Sequence, residues 1–166
     1  MSVDRPNSLA RRGGSLRRTF WLAALAVSLV GCEPRDETPG LRMGGSPADT
    51  PADFGFVRDY DEMYIETRFS VLPYVVNLWG VGSGDHMYMW CAPEQYWCSN
   101  VIKKPDVRVR VGDSVYEMRA TSVTDGPHFA EAIRLYMEKY REQLEEFDEP
   151  LTPEFFGHFF RLTPRV

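Results

Sequence analysis

Apolar and polar residues alternate in one stretch of the chain with the period of a β-strand. Val107, Val109 and Val111 alternate with two arginines. A Gly-Asp turn follows, and a second stretch of the same kind runs from 115 to 123. Because successive side chains of a strand point to opposite faces, this pattern predicts a hairpin with one buried face and one solvated face.

Four further segments are predicted to be strands because they are rich in aromatic and β-branched residues. MYIETRFSV (63–71) and PYVVNLWGVG (73–82) come first, and a GSGD turn separates the second from HMYMWC (86–91). The last is EFFGHFFRLTPRV (154–166), where we expect a strand preceded by a turn at Gly157. Together with the hairpin, these strands are enough for a small sheet.

Two segments are predicted to be helices. APEQYWCSNVIKK (92–104) lacks strand alternation, and its proline fits a first helical turn. Residues 124–147 form an amphipathic pattern that Thr124 or Asp125 can cap, with Pro127 in the first turn. Its apolar residues fall on one side at helical spacing: Ala132, Ile133, Tyr136, Tyr140, Leu144 and Phe147. We expect this side to be core and the charged remainder to be solvated.

The order of these elements predicts an α+β domain over 55–166, in which a small antiparallel split β-barrel is covered by one long and one short helix. Residues 32–54 are rich in Pro, Gly, Asp and Thr and have no hydrophobic period. Such a composition predicts a disordered, coil-like tether, able to hold the domain tens of Å from a membrane by the rule of roughly 5 to 6 Å × √n. We therefore expect the folded domain to begin near Phe54.

The first 31 residues have the organisation of a secretory signal peptide. A basic stretch precedes the apolar segment 20–30, which is too short to span a bilayer, since that takes about 20 residues. The segment ends in LVGC (29–32), which resembles the lipobox of bacterial lipoproteins, where the peptide is cut before the cysteine and the cysteine is acylated. We expect Cys32 to be lipidated; an ordinary signal peptide with an incidental cysteine is the alternative.

Two further details bear on the export route and on which membrane would hold the anchor. RRTF (17–20) resembles the core of a twin-arginine signal, although Leu16 replaces the usual serine or threonine; ordinary leader arginines are the alternative. Glu33 follows the cysteine in place of the aspartate that retains many enteric lipoproteins at the inner membrane. The expected location is therefore the cell envelope, anchored by lipid to the outer membrane and facing the periplasm.

The charge of the chain argues against two classes of partner. The 166 residues carry a net charge of −5, and the leader contains five arginines and one aspartate. Without the leader the chain has a net charge of −9. Nucleic acids and anionic lipid surfaces are therefore unsuitable partners, because both require a concentrated basic face.

Cys91 and Cys98 remain once Cys32 is assigned to lipid. In an oxidising compartment such a pair predicts a disulfide, here closing a loop of eight residues. A soft metal site is one alternative, because Met87, Met89 and Cys91 share a strand face and such ligands suit Cu(I). A redox pair is the other, although the usual two-residue spacing is absent.

Sequence motifs for catalysis are scarce. GVGSG (80–84) leads into a strand and not into the helix N-terminus that a phosphate loop requires. No Gly-x-Ser-x-Gly or His-Glu-x-x-His motif occurs. His86, His128 and His158 are isolated from one another in sequence, so we expect surface or core histidines. No catalytic residue and no metal site is predicted.

Residues 97–125 resemble the split β-barrel proteins related to pyridoxamine-phosphate oxidase, and among them the deazaflavin-dependent nitroreductase-like group. The matching positions are Trp97, Asn100, Pro105, Val107, Val109, Val111, Gly112, Ala120, Val123 and Asp125. Lys139, Tyr140 and the closing FFRLTPR extend the resemblance over about 61–166. It implies a barrel that binds flavin mononucleotide (FMN) or a deazaflavin, for hydride transfer or for storage, and that often forms a homodimer with the pocket at the shared face.

The resemblance also indicates candidate binding residues. Trp97 would stack on a ring, Asn100 would hydrogen-bond its polar edge, and Trp79 would form a second wall. The alternative is that Trp97 is core and Asn100 caps a turn. The basic glycine-containing stretch that anchors phosphate in the nitroreductase-like group is represented here by GSGD, whose Asp85 reverses the required charge.

Two functional hypotheses follow. The first is a lipid-anchored, non-catalytic domain of the envelope that binds a small ligand or a partner. The second is an exported flavin- or deazaflavin-dependent oxidoreductase. The missing phosphate anchor favours the first.

Overall fold

A computed structural model gives the structure of this protein and describes residues 33–34, 39–92, 95–147 and 150–165. The predicted leader, the lipobox-like motif and Cys32 lie outside these residues and stay predictions. Among the described residues, no helix is long and apolar enough to cross a membrane.

The described residues form eight strands, one 3₁₀ helix and four α-helices. The strands are β1 (Ser46–Pro47), β2 (Met63–Phe69), β3 (Leu72–Leu78), β4 (Gly80–Ser83), β5 (His86–Trp90), β6 (Asp106–Val111), β7 (Ser114–Val123) and β8 (Phe159–Pro164). The 3₁₀ helix is Phe54–Asp59, and the α-helices are α1 (Tyr96–Lys103), α2 (Gly126–Lys139), α3 (Arg141–Leu144) and α4 (Pro153–Phe156). The α+β order expected from the sequence is confirmed.

The strands form one curled sheet in the order β3-β2-β6-β7-β8-β5-β4, with every neighbouring pair antiparallel. Strands β3 and β4 lie at its two edges, yet only Trp79 separates them in the chain. Because a single residue cannot cross a flat sheet of seven strands, the sheet must curl until its edges approach each other at Trp79.

The predicted hairpin is β6 and β7. Val107, Val109 and Val111 are at most 2% exposed, whereas the intervening arginines lie on the other face, partly in contact with solvent. Gly112 turns the chain with φ +57°, and a Cβ at this position would lie 2.7 Å from the ring of Tyr60. The turn thus requires glycine both for its backbone conformation and for space.

Buried side chains form two large clusters on opposite faces of the sheet. The interior cluster fills the curl and includes Met87 and Met89 of β5. The helix-face cluster lies between the outer face and α2 and includes Tyr88 and Tyr136. Strand β5 contributes to both because its side chains alternate between the faces, as the sequence predicts.

The long predicted helix is interrupted. α2 ends at Lys139, and Tyr140 leaves helical geometry with φ −117° and ψ 25° before the short α3 begins. The ring of Tyr140 packs against the strand connection at Trp79, and this contact sets the end of α2. Asp125 stands at the N-cap position without a side-chain hydrogen bond, and Pro127 lies in the first turn.

The prediction of a coil-like tether is corrected for the described residues from Gly40 onward. Gly40 exchanges two backbone hydrogen bonds with Val75 of β3, at 2.8 and 2.9 Å. β1 pairs in parallel with the start of β7. Met43, which lies between Gly40 and β1 in the chain, is 2% exposed. Composition did not reveal this packing because the backbone partners are supplied by an open sheet edge and by the part of β7 that β8 leaves unpaired.

Glu33 also contacts the sheet. Its Oε1 lies 3.5 Å from Nη1 of Arg110, on the outer face of β6. The chain is therefore in contact with the barrel at a residue directly adjacent to Cys32.

Candidate functional site

The predicted disulfide between Cys91 and Cys98 is confirmed, with the sulfurs 2.06 Å apart. It joins the end of β5 to α1, and both cysteines are buried. Met87 and Met89 are fully buried in the interior cluster. The soft-metal alternative thereby loses its thiolate, because the sulfur of Cys91 is already bonded.

An aromatic cleft of about 610 Å³ lies where β3, Trp79 and the start of α1 meet. Its main lining residues are Glu62, Tyr74, Asn77, Trp79, Gln95, Tyr96 and Trp97. Two of the three candidate binding residues, Trp79 and Trp97, therefore line the same concave surface. Large aromatic groups around a concave site are what a small organic ligand requires for burial.

Trp79 is fixed in this cleft by two contacts with the helix side. Its indole stacks on Tyr140, with ring centroids 4.9 Å apart and planes 12° apart. Its carbonyl accepts a hydrogen bond of 2.7 Å from the hydroxyl of Tyr136. One face of the indole is thus occupied by protein, so a ligand has access only to the remaining surface of the ring.

Trp97 belongs mainly to the core. It is 4% exposed, its ring centroid lies 5.6 Å from that of Phe160, and its indole N–H donates to Gln95 at 2.7 Å. Only a small part of the ring can therefore contact a ligand in the cleft.

Asn100 is placed away from the cleft. It is 3% exposed, and its side-chain amide donates to the hydroxyl of Thr67 at 3.4 Å. Its backbone carbonyl accepts from the amide of Lys104 at the end of α1. Asn100 thus connects α1 to β2, and it is not among the residues that line the cleft.

The charge of the cleft bears on which cofactor it can hold. Among the described residues that line it, Glu62 is charged and none is a lysine or an arginine. FMN and the deazaflavin cofactors carry phosphate, which proteins bind with cationic side chains or aligned backbone N–H groups. The described lining of the cleft therefore does not fit the phosphate of these cofactors.

Lys139 and Tyr140 are two of the positions that resemble the family. They lie on the side of Trp79 opposite the aromatic cleft and form hydrogen bonds with backbone groups. The Lys139 ammonium donates to the carbonyls of Val57, Tyr60 and Gly80 at 2.9, 2.6 and 2.9 Å. The Tyr140 hydroxyl accepts from the amide of Gly80 at 3.1 Å. Burial lowers the pKa of Lys139 to about 8. All three N–H donors of Lys139 are used within the fold, next to a second cleft of about 550 Å³.

The structure brings together two histidines that the sequence presents as isolated. His86 at the start of β5 and His128 in the first turn of α2 lie close to Glu131, with one ligand atom of each within 4.8 Å of the others. The sequence places His128 and Glu131 three residues apart on a helix, which puts them on one face. It does not indicate which strand this face covers. His158 lies elsewhere, and burial lowers its pKa.

No protein-family model and no curated protein matches this chain. Several solved structures share its fold at low sequence identity. An FAD-binding protein from Mesorhizobium loti is 17% identical with a TM-score of 0.51, over 66% of this chain and 85% of that one. An F420-H2-dependent reductase is 20% identical with a TM-score of 0.50, over 61% and 93%.

The heme storage protein HutZ from Vibrio cholerae is 15% identical with a TM-score of 0.53, over 67% of this chain and 86% of that one. At such identities the similarity establishes the fold alone. The predicted split β-barrel is thereby confirmed.

Proposed function

We propose that this protein is a lipid-anchored, non-catalytic component of the cell envelope that binds a small planar ligand in the aromatic cleft. The observation that carries the proposal is that Trp79, Trp97, Tyr74 and Tyr96 line one concave surface. Aromatic walls favour a flat conjugated molecule, because ring stacking adds about 0.5–1.5 kcal/mol per pair to the burial of apolar area.

The polar groups of the cleft narrow the class of ligand. Asn77 and Gln95 offer amide donors and acceptors that can fix the orientation of a ring. Glu62 is the charged residue of the described lining, so it favours a neutral or cationic ligand over an anion. The ligand we propose is therefore a planar ring system without phosphate.

The similar structures agree with a planar ligand. They are those of an FAD-binding protein, an F420-H2-dependent reductase and a heme storage protein, and FAD, F420 and heme each contain a flat conjugated ring. This supports the ring-binding part of the proposal. The absence of phosphate from the ligand rests on the lining of this chain's own cleft.

The proposal of a non-catalytic role rests on how the reactive groups near the cleft are engaged. Cys91 and Cys98 are joined in a disulfide. Lys139 and Tyr140 bond to backbone groups. Burial, together with the neighbouring Tyr96, raises the pKa of Tyr74, so its hydroxyl stays protonated at neutral pH.

Binding of riboflavin and FMN tests the proposal, because these probes share one ring system and differ by a phosphate. Binding is measured by equilibrium dialysis with the full chain. We expect riboflavin to bind at least as tightly as FMN. Tyr96→Ala should weaken riboflavin binding by roughly fivefold, since stacking contacts of this kind are worth about 1 kcal/mol.

Tyr60→Ala provides the control, because Tyr60 is 40% exposed and lies outside the cleft, whereas Tyr96 is 55% exposed within it. Tighter binding of FMN than of riboflavin would contradict the proposed ligand class. Equal affinities of the parent and Tyr96→Ala, or no binding of either probe, would count against the cleft as the site.

The second candidate is a flavin- or deazaflavin-dependent oxidoreductase, favoured by the occurrence of this fold in an F420-H2-dependent reductase. Absorbance from 300 to 600 nm of protein purified from its own host distinguishes the two. A stoichiometric flavin or deazaflavin band would replace the non-catalytic proposal with the enzymatic one.

The proposed lipid anchor is tested separately at Cys32. The parent chain should partition into the detergent phase after expression in a lipoprotein-processing bacterium, and Cys32→Ser should partition into the aqueous phase. Mass spectrometry should find acyl chains on an N-terminal cysteine. Aqueous partitioning of the parent chain would contradict the anchor.

A further inference from the structure

Three ligating side chains converge between the outer face of the sheet and the first turns of α2. His86 begins β5, while His128 and Glu131 lie one turn apart on α2 and face this strand. The imidazole Nε2 of His86 is 3.5 Å from Oε2 of Glu131, and Nδ1 of His128 is 3.6 Å from the same oxygen.

The tautomer of His86 follows from its neighbour. Its Nδ1 lies 2.8 Å from Oδ1 of Asp85, and the ionised carboxylate can only accept a hydrogen bond. The guanidinium Nη2 of Arg161, which can only donate, also lies near this nitrogen, but at the longer distance of 3.4 Å. The shorter contact with Asp85 places the proton on Nδ1, which leaves a lone pair on Nε2 of a neutral ring. Within the part of the chain that the structure describes, this buried Nε2 has no hydrogen-bond partner. The side chain is 10% exposed, so water does not readily compensate for the missing bond.

The distances fit a metal ion. Four-coordinate zinc with bonds of about 2.0–2.1 Å to nitrogen and oxygen requires its ligand atoms to lie about 3.3 Å apart. Separations of 3.5 and 3.6 Å are close to this value. The third separation, between the two imidazoles, is at most 4.8 Å, so the three ligand atoms already surround one position that an ion could occupy.

Outer groups orient the ligands as metal sites require. Asp85 holds the ring of His86, and the Tyr88 hydroxyl donates to Oε2 of Glu131 at 2.8 Å. Carboxylates and hydroxyls in such positions commonly fix the orientation of metal ligands. The Tyr88 hydroxyl also lies 2.7 Å from Nδ1 of His128, a contact that an ion bound to this nitrogen would replace.

The local charge permits a cation. Asp85 and Glu131 contribute two negative charges, and Arg161 contributes one positive charge 3.6 Å from Asp85. With neutral imidazoles the group has a net charge of −1. A bound divalent ion would bring it to +1. His128 has a side chain that is 47% exposed, so an ion can reach the ligands from solvent.

We propose that His86, His128 and Glu131 bind a divalent first-row transition-metal ion of the class represented by Zn²⁺. Two imidazoles and one carboxylate suit such ions better than Mg²⁺ or Ca²⁺, which prefer oxygen ligands alone. Three protein ligands leave a fourth position for water. This site is separate from the aromatic cleft, and it does not depend on the function proposed for the cleft.

The test measures Zn²⁺ affinity by competition with a chromophoric chelator. The full chain is used with Cys32→Ser as the common background, because a free thiolate would itself bind zinc. We expect one Zn²⁺ per chain. Glu131→Gln keeps the size of the side chain and an acceptor for Tyr88 but removes the charged ligand, and it should weaken binding at least tenfold.

Glu138→Gln is the matched control, since this glutamate lies on the same helix, is exposed and pairs with Arg134. Its Zn²⁺ affinity should equal that of the parent background. His128→Gln provides a second ligand variant at a half-exposed position, where the substitution leaves the core intact. Circular dichroism spectra and melting temperatures establish that each variant is folded.

Co²⁺ provides a direct readout of the ligands. Its visible absorption between 500 and 650 nm should appear in the parent background and in Glu138→Gln, and it should disappear in His128→Gln. Absence of one-to-one Zn²⁺ binding at micromolar metal would overturn the proposal. Equal affinities of the Glu131→Gln and Glu138→Gln variants would overturn it as well. Riboflavin binding by the cleft, measured in parallel, should be unchanged in all of these variants.

Discussion

The indole of Trp79 and the phenol ring of Tyr140 stack almost parallel, with centroids 4.9 Å apart. Trp79 is the single residue between β3 and β4, the two edge strands of the sheet. Tyr140 is the residue at which α2 ends. One contact therefore joins the closure of the barrel to the end of its long helix.

Trp79→Leu should lower the free energy of unfolding by about 1–3 kcal/mol, because it removes both apolar contact and the ring stack. Trp79→Phe keeps an aromatic ring and should cost less. Urea unfolding followed by circular dichroism measures both values. Equal losses in the two variants would show that the stack itself contributes nothing.

Tyr136→Phe should be destabilising although it removes only one oxygen. The hydroxyl donates to the carbonyl of Trp79 at 2.7 Å and accepts from the amide of Trp90 at 2.8 Å. Tyr136 is fully buried, so the variant would lose about 1–3 kcal/mol of stability through unpaired backbone groups. Tyr96→Phe, at an exposed ring, should change the same urea midpoint very little. Similar midpoints for both variants would contradict this role of Tyr136.

Lys139→Met should destabilise the connection between α2, the 3₁₀ helix and β4. Three backbone carbonyls lose the ammonium, although that of Gly80 keeps the Tyr140 hydroxyl and that of Val57 keeps the amide of Tyr60 as a donor. We expect a loss of about 1–3 kcal/mol in thermal or urea unfolding. Lys104 is the comparison, because its ammonium donates to one carbonyl, that of Ser70, at an exposed site. Lys104→Met should cost less than about 0.5 kcal/mol. A larger loss in Lys104→Met than in Lys139→Met would refute the argument.

Reduction of the Cys91–Cys98 disulfide should lower stability by about 2.5 kcal/mol, the chain-entropy estimate for a loop of eight residues. The parent chain should melt at a lower temperature in a thiol reductant. The double variant Cys91→Ala, Cys98→Ala should melt at the same temperature with and without reductant. An unchanged melting temperature of the reduced parent, with thiols verified by alkylation, would contradict the prediction.

His158 should make the fold sensitive to mild acid. Burial lowers the pKa of His158, and its Nε2 is buried without a hydrogen-bond partner among the described residues. The unfolded chain has the ordinary histidine pKa near 6.5, so it binds the proton first as the pH falls. Stability contributed by the neutral ring is therefore present above this pH and is lost below it.

His158→Gln should show a smaller loss of stability between pH 7.5 and pH 5.5 than the parent chain. Urea unfolding at the two pH values, with chelator present to keep metal out, provides the comparison. The same pH dependence in both proteins would exclude His158 as the source.

Features set by local pattern could be predicted from the sequence. The alternation of Val107, Val109 and Val111 with polar residues is enough to predict a strand. Cys91 and Cys98 predict a disulfide because they are close in sequence and even in number. The resemblance supplied the split barrel. It also indicated Trp79 and Trp97 as binding residues, and both line one cleft.

Features that depend on packing between distant segments could not be predicted. His86 and His128 come together only because α2 covers the outer face of β5, and hydrophobic periodicity does not specify which strand a helix covers. The end of α2 at Tyr140 has the same origin, since the ring contact with Trp79 overrides helical propensity. Gly40 pairs with Val75 because a strand edge is available, a property of the sheet and not of the residues around Gly40.

The contact between Glu33 and Arg110 sets the height at which an anchored barrel would stand. If Cys32 carries acyl chains, the contact of the neighbouring Glu33 with β6 leaves little free chain between the lipid and the barrel. The outer surface around Arg110 would then lie against the lipid headgroups. A ligand or a partner protein would then have to approach from the sides that point away from the membrane.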